Sequence, residues 1–233
     1  MKLCVIPARG GSKRIPGKNT RPFCGKPILL YSIEAATECG LFDRIIVSTD
    51  SEEIAALARK HGAETPFLRP AELSDDYTGT NAVVRHALEW FRARGTEYEW
   101  ACCIYATAPL LSAERVREGF ERLSASDRSF AFSATSFEFP IERALRCAAD
   151  GAVEPFFPDR IDTRSQDLEE ALHDAGQYYW GTAEAFLSDR ALFAAHSLAI
   201  RLPRHLVQDI DTLEDWERAE QMYRAARLGD ADD

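Results

Sequence analysis

Short hydrophobic runs recur along the chain, with segments of helical periodicity between them. Leu3 to Ile6, Arg44 to Thr49 and Trp100 to Tyr105 have the length and apolar content of buried strands. Pro27 to Cys39 and Glu52 to His61 carry apolar residues at the three- and four-residue spacing of a helix. This alternation predicts an α/β fold: a Rossmann-like, mostly parallel sheet flanked by helices, with right-handed crossovers.

Residues that typically cap or terminate helices define these boundaries more closely. Gly40 and Gly62 follow the first two predicted helices, and Ser51 precedes the second as an N-cap. The same patterns predict further helices and strands: helices at Asn81 to Arg94, Ser112 to Leu123 and Leu213 to Arg227, with Thr212 or Asp211 as the cap of the last, and strands at Phe130 to Thr135, His173 to Gly181 and Leu198 to Leu202.

Residues 137–175 do not continue the alternation of strands and helices. They contain Pro140, Pro155 and Pro158, mixed charges and no clean hydrophobic period. A segment of this length without regular structure is usually functional or an interaction arm. We therefore predict one α/β domain formed by residues 1–136 and 176–233, interrupted by an arm at 137–175.

Composition excludes several classes of protein. The chain has 233 residues and a formal net charge of -10, which argues against nucleic acid or an anionic membrane as a partner. It contains no apolar run long enough to span a membrane, and Met1 and Lys2 lead directly into the first strand, which leaves no room for a signal peptide. The cysteines form no CxxC pair, so we expect reduced thiols and a cytoplasmic protein.

The segment after the first strand is rich in glycine and positive charge. Before Glu34 the chain carries no acidic residue but several basic ones: Lys2, Arg9, Lys13, Arg14, Lys18, Arg21 and Lys26. Paired glycines let backbone N–H groups converge on an anion, and cations supply the matching charge. The pattern predicts a polyphosphate-binding loop at the carboxyl end of the first strand, with an unliganded basic surface loop as the alternative.

Two well-known phosphate motifs do not fit this loop. A Walker A sequence requires a different glycine spacing from that of Gly11 and Gly17, and Asn19 stands where its hydroxyl residue would be. The G-x-G-x-x-G dinucleotide pattern is absent, which removes the main sequence argument for an NAD enzyme.

Asp209 and Asp211 are the strongest candidates for metal binding. Two residues apart on an extended segment, they project to one face while Ile210 projects into the core. Magnesium is usually bound by one or two carboxylates together with substrate phosphates. The pair therefore predicts an Mg²⁺ site, with helix capping and an ordinary surface acid as the alternative.

The text from Ile6 to Asn19 resembles the signature loop of the CMP-sialic acid synthetases, the cytidylyltransferases of nine-carbon sugar acids. The resemblance extends along nearly the whole chain and is closest to the branch that activates pseudaminic acid. It implies a fold of the nucleotide-diphospho-sugar transferase type and CTP as a substrate. The nucleotide-binding residues that it implies are Ala8, Arg9, Gly10, Gly11, Ser12, Lys18, Asn19, Arg69 and Thr107.

Two of these residues lie outside the loop. Arg69 begins a segment that resembles the family's nucleotide-closing loop, and its alternative is a surface arginine paired with Asp75 or Asp76. Thr107 follows the third strand in a text of the family's Pro-Thr-Ser-Pro type, in which alanine here replaces the second hydroxyl residue.

The resemblance also implies a sugar-binding role for residues in the arm and in the strand that follows it. Arg164 and Gln166 match the family's Arg-x-Gln-x-Leu text, which implies that Arg164 anchors the carboxylate of the sugar; a surface pair with Asp162 or Asp167 is the alternative. His173 and Gln177 belong to a strand of the pseudaminic acid form and are sugar-binding candidates; the alternative for His173 and Asp174 is a cap and a loop residue. The arm is expected to make a homodimer and to complete the partner's sugar site.

The implied reaction is transfer of CMP from CTP to the 2-hydroxyl of a nonulosonic acid, with release of pyrophosphate. Arg9, Lys18, Asp209 and Asp211 are the predicted catalytic residues, and both aspartates bind the metal. Other acceptors remain open, namely N-acetylneuraminic, legionaminic and 3-deoxy-manno-octulosonic acid. A sugar 1-phosphate pyrophosphorylase is a further alternative, although its Gly-x-Gly-x-Arg loop is not reproduced here. A regulatory domain that binds nucleotide without catalysis is the non-enzymatic alternative.

Overall fold

The computed structural model describes residues 1–75 and 78–229. Numbered in chain order, the strands are β1 (Lys2–Pro7), β2 (Pro22–Phe23), β3 (Lys26–Pro27), β4 (Arg44–Ser48), β5 (Trp100–Ile104), β6 (Phe130–Ser136), β7 (Leu145–Cys147), β8 (Val153–Pro155), β9 (Leu172–Thr182) and β10 (Ser197–Arg201). The α-helices are α1 (Ile28–Glu38), α2 (Glu52–Lys60), α3 (Thr80–Arg92), α4 (Ala113–Ser124), α5 (Ala183–Leu187) and α6 (Leu213–Gly229).

A six-stranded sheet forms the centre of the molecule, in the order β10-β6-β9-β5-β1-β4. β1 is parallel to β4 and β5, β10 is parallel to β6, and only β9 runs antiparallel to its neighbours β5 and β6. The predicted mostly parallel sheet is therefore confirmed. From β1 the chain passes to β4 on one side and then to β5 on the other, which places the switch point of the topology between β1 and β5.

Helices cover both faces of the sheet, as the unbroken apolar strands require. Leu29 of α1, Ala58 of α2 and Val116 of α4 belong to the core on one face. Val84 of α3 and Phe186 of α5 belong to the core on the other. All five side chains are completely buried.

A third apolar cluster joins the two ends of the chain, and we call it the terminal cluster. It contains Ile15, Phe23, Ile28, Tyr31, Ile210, Trp216 and Ala219. The Phe23 ring lies 5.5 Å from those of both Tyr31 and Trp216, in edge-to-face contact. We call residues 8–19, which follow β1, the basic loop. The packing of the terminal cluster fixes the start of α6 against the segment that follows this loop.

Most predicted boundaries agree with the structure within one or two residues. Ser51 caps α2 as expected, accepting from the backbone N–H of Ile54 at 3.4 Å. α1 begins at Ile28, one residue after the predicted start, so Pro27 is its N-cap. Of the two capping candidates for α6, Thr212 has this role, since its Oγ1 accepts from the backbone N–H of Asp215 at 3.2 Å.

The predicted arm contains a short hairpin, β7–β8, and single helical turns at Ile141–Arg143 and Ser165–Asp167. β9 begins at Leu172, where it pairs with Ser136 at the end of β6. The main sheet therefore includes the last residues of the range 137–175. The domain boundaries themselves stay a prediction.

Two further expectations concern location. Within residues 1–75 and 78–229, none of the helices has the length and apolar content needed to cross a bilayer. The six cysteines are free thiols, and four of them, Cys4, Cys39, Cys102 and Cys103, are buried.

Candidate active site

A cavity of about 380 Å³ opens at the carboxyl ends of β1 and β5, the position at which α/β sheets bind their ligands. Three stretches of chain and one residue near the C-terminus form its wall. The predicted site residues that line it are Arg9, Ser12, Lys18, Asn19, Arg69, Thr107 and Asp211. The structure thus brings Arg9 and Asp211, from opposite ends of the sequence, to one cavity.

The basic loop is braced from both sides. The backbone N–H of Gly10 donates to Asp50 Oδ1 at 2.8 Å, which ties the loop to the end of β4. Asn19 is buried, and its Nδ2 donates to the carbonyl of Arg9 at 2.9 Å. A Cβ on Gly10 would lie 3.1 Å from Cβ of Ser51, so glycine permits this close approach. The hydrogen bond from Asn19 to Arg9 and the close approach of Gly10 to Ser51 therefore fix the backbone of the loop.

Lys18 joins the loop to the C-terminal segment. Its Nζ donates to the carbonyl of Ile210 at 2.6 Å and lies 3.8 Å from Asp211 Oδ1. Burial lowers the pKa of Lys18, and the charges of Asp211 and Asp209 oppose that shift. The ammonium group thus lies between the basic loop and the segment that carries Asp209 and Asp211.

Asp211 is free to face the cavity because other residues cap α6. The Asp215 carboxylate accepts from the backbone N–H groups of Asp211 and Thr212, at 3.1 and 2.8 Å. Asp211 Oδ2 lies 2.8 Å from Arg14 Nη1, so the carboxylate meets cations from the loop. Ile210 is fully buried, as the alternating pattern predicted. The capping alternative is therefore wrong for Asp211.

Asp209 shares the electrostatic environment of Asp211. Although much of its side chain is exposed, loss of solvent around the carboxylate raises the pKa of Asp209, and the charge of Asp211 raises it further. Lys18 acts in the opposite direction. Two carboxylates that repel each other in this way favour a shared cation.

Arg69 is a buried guanidinium in the cavity wall. Its side chain is 6% exposed, and Nε and Nη2 have no hydrogen-bond partner in the part of the chain that is described. Burial lowers the pKa of Arg69, with Asp50 opposing the shift. The alternative of a surface arginine is wrong; of its two suggested partners, Asp76 lies outside the described residues. Unpaired buried donors are costly, so their retention favours a ligand role.

The sequence interpretation missed part of the opposite wall. Tyr105 follows β5, Thr80 begins α3, and both line the cavity together with Thr78. Their position was the available signal, because the carboxyl end of a parallel strand and the start of a helix are where ligands bind. Ala106 and Ala108 beside Thr107 are buried.

The predicted sugar-binding residues do not line this cavity. Arg164 is exposed and pairs with Asp167 at 2.7 Å, the arrangement given above as its alternative, and Gln166 is exposed beside it. His173 is exposed, with Nδ1 2.8 Å from the carbonyl of Asp174. Gln177 is buried, and its Nε2 donates to the carbonyl of Leu206 at 2.5 Å. Their sugar-binding role stays a prediction.

Two further predicted residues complete the loop. Ala8 is fully buried, and its backbone N–H donates to the carbonyl of Ser48 at 2.9 Å. An added Cβ on Gly11 would meet nothing within 4 Å, so this glycine borders open space. Both stay nucleotide-binding candidates through their place in the loop.

Known proteins resemble this chain over most of its length. The family model described as cytidylyltransferase matches residues 3–207. A pseudaminic acid cytidylyltransferase of Campylobacter jejuni is 46% identical over 222 residues, which cover 95% of this chain and 96% of that protein. A CMP-N,N'-diacetyllegionaminic acid synthase of Legionella pneumophila is 29% identical, over 94% of this chain and 95% of that protein.

The fold is shared with a solved structure of a CMP:2-keto-3-deoxy-manno-octonic acid synthetase complexed with CTP. The TM-score is 0.70 at 13% sequence identity, covering 97% of this chain and 99% of that one. Fold, cavity and sequence relatives agree. The chain therefore belongs to the cytidylyltransferase family.

Proposed function

We propose that the protein transfers CMP from CTP to the 2-hydroxyl of pseudaminic acid, giving the CMP-sugar and pyrophosphate. The observation that carries the proposal is the contact of Lys18 with Ile210 and Asp211. It joins a cationic, glycine-rich loop to Asp211, a carboxylate that lines the same cavity two positions after Asp209. Cations and acids placed side by side suit a substrate that brings both phosphates and a metal.

The loop would hold the triphosphate. Four basic side chains line the cavity, and their positive charges match the negative charge of the triphosphate: Arg9, Lys13, Arg14 and Lys18. Arg69 offers buried guanidinium nitrogens to the same ligand. In the reaction, the oxygen of the 2-hydroxyl attacks the α-phosphorus and releases its proton, the bond from that phosphorus to the bridging oxygen breaks, and pyrophosphate leaves. These cations stabilise the charge that develops on the phosphates.

The acidic pair fits Mg²⁺. The described residues hold no group of three or more His, Cys, Asp or Glu side chains arranged for a metal. Asp209 and Asp211 are hard oxygen donors, and Asp211 faces the cavity. Burial, and after it the charge of Asp211, raises the pKa of Asp209. When bound, the ion supplies charge neutralisation at the phosphates. We assign both aspartates to hold it, with Asp209 also orienting the attacking hydroxyl.

The arm presents an apolar surface that suits a second copy of the chain. Most large hydrophobic side chains that are exposed in the described residues lie there: Phe137, Phe139, Leu145, Val153, Phe156 and Phe157. Exposed apolar patches of this kind mark interaction sites. We therefore propose a homodimer in which the arm brings Arg164 to the partner's sugar site. The free cysteines support a reducing, cytoplasmic location.

A matrix of the four nucleoside triphosphates against several nonulosonic acids, read by pyrophosphate release, tests the function. We expect release with CTP and Mg²⁺, and most rapidly with pseudaminic acid. If pyrophosphate is released faster with N-acetylneuraminic, legionaminic or 3-deoxy-manno-octulosonic acid, that acid and not pseudaminic acid is the acceptor. No release with any pair, despite measurable CTP binding, would favour the regulatory alternative.

A further inference from the structure

Arg69 belongs to a short segment of chain at the margin of the sheet. We call residues 64–69 the edge segment. It runs parallel to β4: the backbone N–H of Val47 donates to the carbonyl of Glu64 at 2.9 Å, and that of Arg69 donates to the carbonyl of Thr49 at 2.7 Å. Because β4 is the last strand of the sheet, the position of the edge segment depends on side-chain packing as well as on these bonds.

Phe67 attaches the edge segment to α3. Its ring centroid lies 4.7 Å from that of His86, at an interplanar angle of 89°, and 5.4 Å from that of Trp90. His86 and Trp90 are one helical turn apart, so they share one face of α3 and contact the Phe67 ring together. Edge-to-face contacts of this kind favour one relative orientation of the rings. The contact therefore fixes the backbone shortly before Arg69.

The same helix borders the candidate active site. Thr80 and Val83 of α3 line the cavity, and His86 follows Val83 by about one helical turn. Arg69 lines the cavity from the edge segment. α3 is thus in contact both with the cavity and with the segment that carries Arg69.

The Arg69 guanidinium depends on its surroundings for its position. Its Nε and Nη2 are buried and have no hydrogen-bond partner in the described parts of the chain, so bonds from these two atoms do not orient it. A hydrogen bond tolerates a change of only about 0.5 Å in length. A small shift of the edge segment would therefore weaken the bonds that these donors can make to a ligand.

The His86 ring is uncharged at neutral pH. Burial lowers the pKa of His86; the charge of Glu89 opposes that shift, the charge of Arg69 adds to it, and the charge of Glu72 opposes it. Nδ1 of His86 is buried and has no hydrogen-bond partner within residues 1–75 and 78–229. The ring thus offers Phe67 an aromatic surface and adds no positive charge beside Arg69.

We propose that Phe67 and His86 are positioning residues for nucleotide binding: His86 holds Phe67, and Phe67 fixes the backbone from which Arg69 reaches the cavity. This inference rests on the proposed function, because it takes CTP as the ligand of Arg69. It deepens that function by assigning part of the nucleotide affinity to α3, through two residues that do not line the cavity.

A double-mutant cycle between His86 and Arg69 tests the proposal. The variants are His86→Ala, Arg69→Met and the two combined, and calorimetry up to millimolar CTP with Mg²⁺ gives the Kd for CTP. His86→Phe keeps an uncharged aromatic ring and tests whether the ring is the feature that matters. His61→Ala is the matched control, because His61 is exposed at the end of α2. The melting temperature of each variant is measured as well.

We expect His86→Ala to raise the Kd for CTP about three- to tenfold, and His86→Phe and His61→Ala to leave it within about twofold of wild type. In the Arg69→Met background, His86→Ala should change the Kd by less than about twofold, since a residue that acts only through Arg69 adds nothing once that side chain is absent. The melting temperature should fall equally in both backgrounds. Lost packing thus lowers stability in either case, whereas lost positioning changes affinity only where Arg69 is present.

Each outcome has a distinct meaning. An unchanged Kd in His86→Ala, the same rise in the Arg69→Met background, or an equal rise in His86→Phe would each overturn the inference. If wild type binds no CTP, the proposed function fails instead. If His86→Ala does not fold, Phe67→Leu takes its place in the cycle, and it should raise the Kd only where Arg69 is present.

Discussion

Asp211 and Asp215 lie one helical turn apart and have different roles. Asp215 accepts hydrogen bonds from the backbone at the start of α6, whereas the carboxylate of Asp211 faces the cations of the loop. Acids in a first helical turn stabilise the helix, while an acid in a cavity contributes to ligand binding and often not to stability. The two side chains therefore provide a matched pair for separating function from folding.

We expect Asp211→Asn to lower pyrophosphate release at least about a hundredfold, because it removes a metal ligand at the developing charge. Its melting temperature should stay within about 2 °C of wild type, since Asp215 provides the cap. Asp215→Ala should show the reverse: a loss of about 1 kcal/mol in the free energy of unfolding, with turnover retained within about tenfold. An Asp211→Asn protein that keeps Mg²⁺-dependent turnover would contradict the metal assignment.

Substitution of Arg69 should also lower ligand binding without lowering stability. Arg69→Met removes a buried guanidinium whose Nε and Nη2 have no hydrogen-bond partner within residues 1–75 and 78–229, so the melting temperature should be unchanged or higher. The Kd for CTP, measured by calorimetry, should rise about ten- to hundredfold through the lost charged hydrogen bonds. Arg44→Met is the control, since it removes a surface ion pair with Glu64. A destabilised Arg69→Met protein with unchanged CTP affinity would show a structural role instead.

At the scale of elements, packing in the terminal cluster explains how the site is assembled. Ile15, three residues before Lys18, and Ile210, next to Asp211, are both buried in this cluster. Burial of a large aromatic side chain contributes several kcal/mol, far more than an exposed ion pair. The apolar contacts, and not the Lys18–Asp211 attraction, therefore hold the two halves of the site together.

Truncation of this cluster should damage stability and function together. Trp216 is 4% exposed, and Trp216→Ala should lower the free energy of unfolding by about 3–5 kcal/mol. In the folded fraction, release of pyrophosphate should also fall, because α6 no longer fixes Ile210 and Asp211. Denaturant unfolding and turnover at low temperature measure the two effects. Glu217→Ala, an exposed position on the same helix, should leave both unchanged.

The limits of prediction from sequence follow from the range of each interaction. Periodicity and caps are local, so helices such as α2 and strands such as β1 could be placed within two residues. The antiparallel insertion of β9 between β5 and β6 depends on pairing across the chain, which no local pattern encodes. The Thr80–Tyr105 contact spans 25 positions and the Lys18–Ile210 contact 192, and only the sheet topology brings these pairs together.

At the scale of the whole molecule, the position of Arg164 is the main question. Its guanidinium is exposed and paired with Asp167, and it does not line the cavity of its own chain. The apolar side chains of the same arm are exposed as well, Phe139 to 71%. In the homodimer proposed above, a second chain covers this apolar surface, and the arm reaches the cavity of the other copy with Arg164. Both features have one explanation if the arm serves the partner.

Mixing two inactive variants tests this arrangement directly. Asp211→Ala disables the metal site of its own cavity, and Arg164→Ala disables the arm. If the arm serves the partner, a mixed dimer has one intact cavity, built from the Asp211 of one chain and the Arg164 of the other. An equal mixture after subunit exchange should then recover about one quarter of wild-type turnover, since half of the dimers are mixed and each has one of two sites. If the arm serves its own chain, both cavities of a mixed dimer carry a defect, and the mixture should stay as inactive as its components.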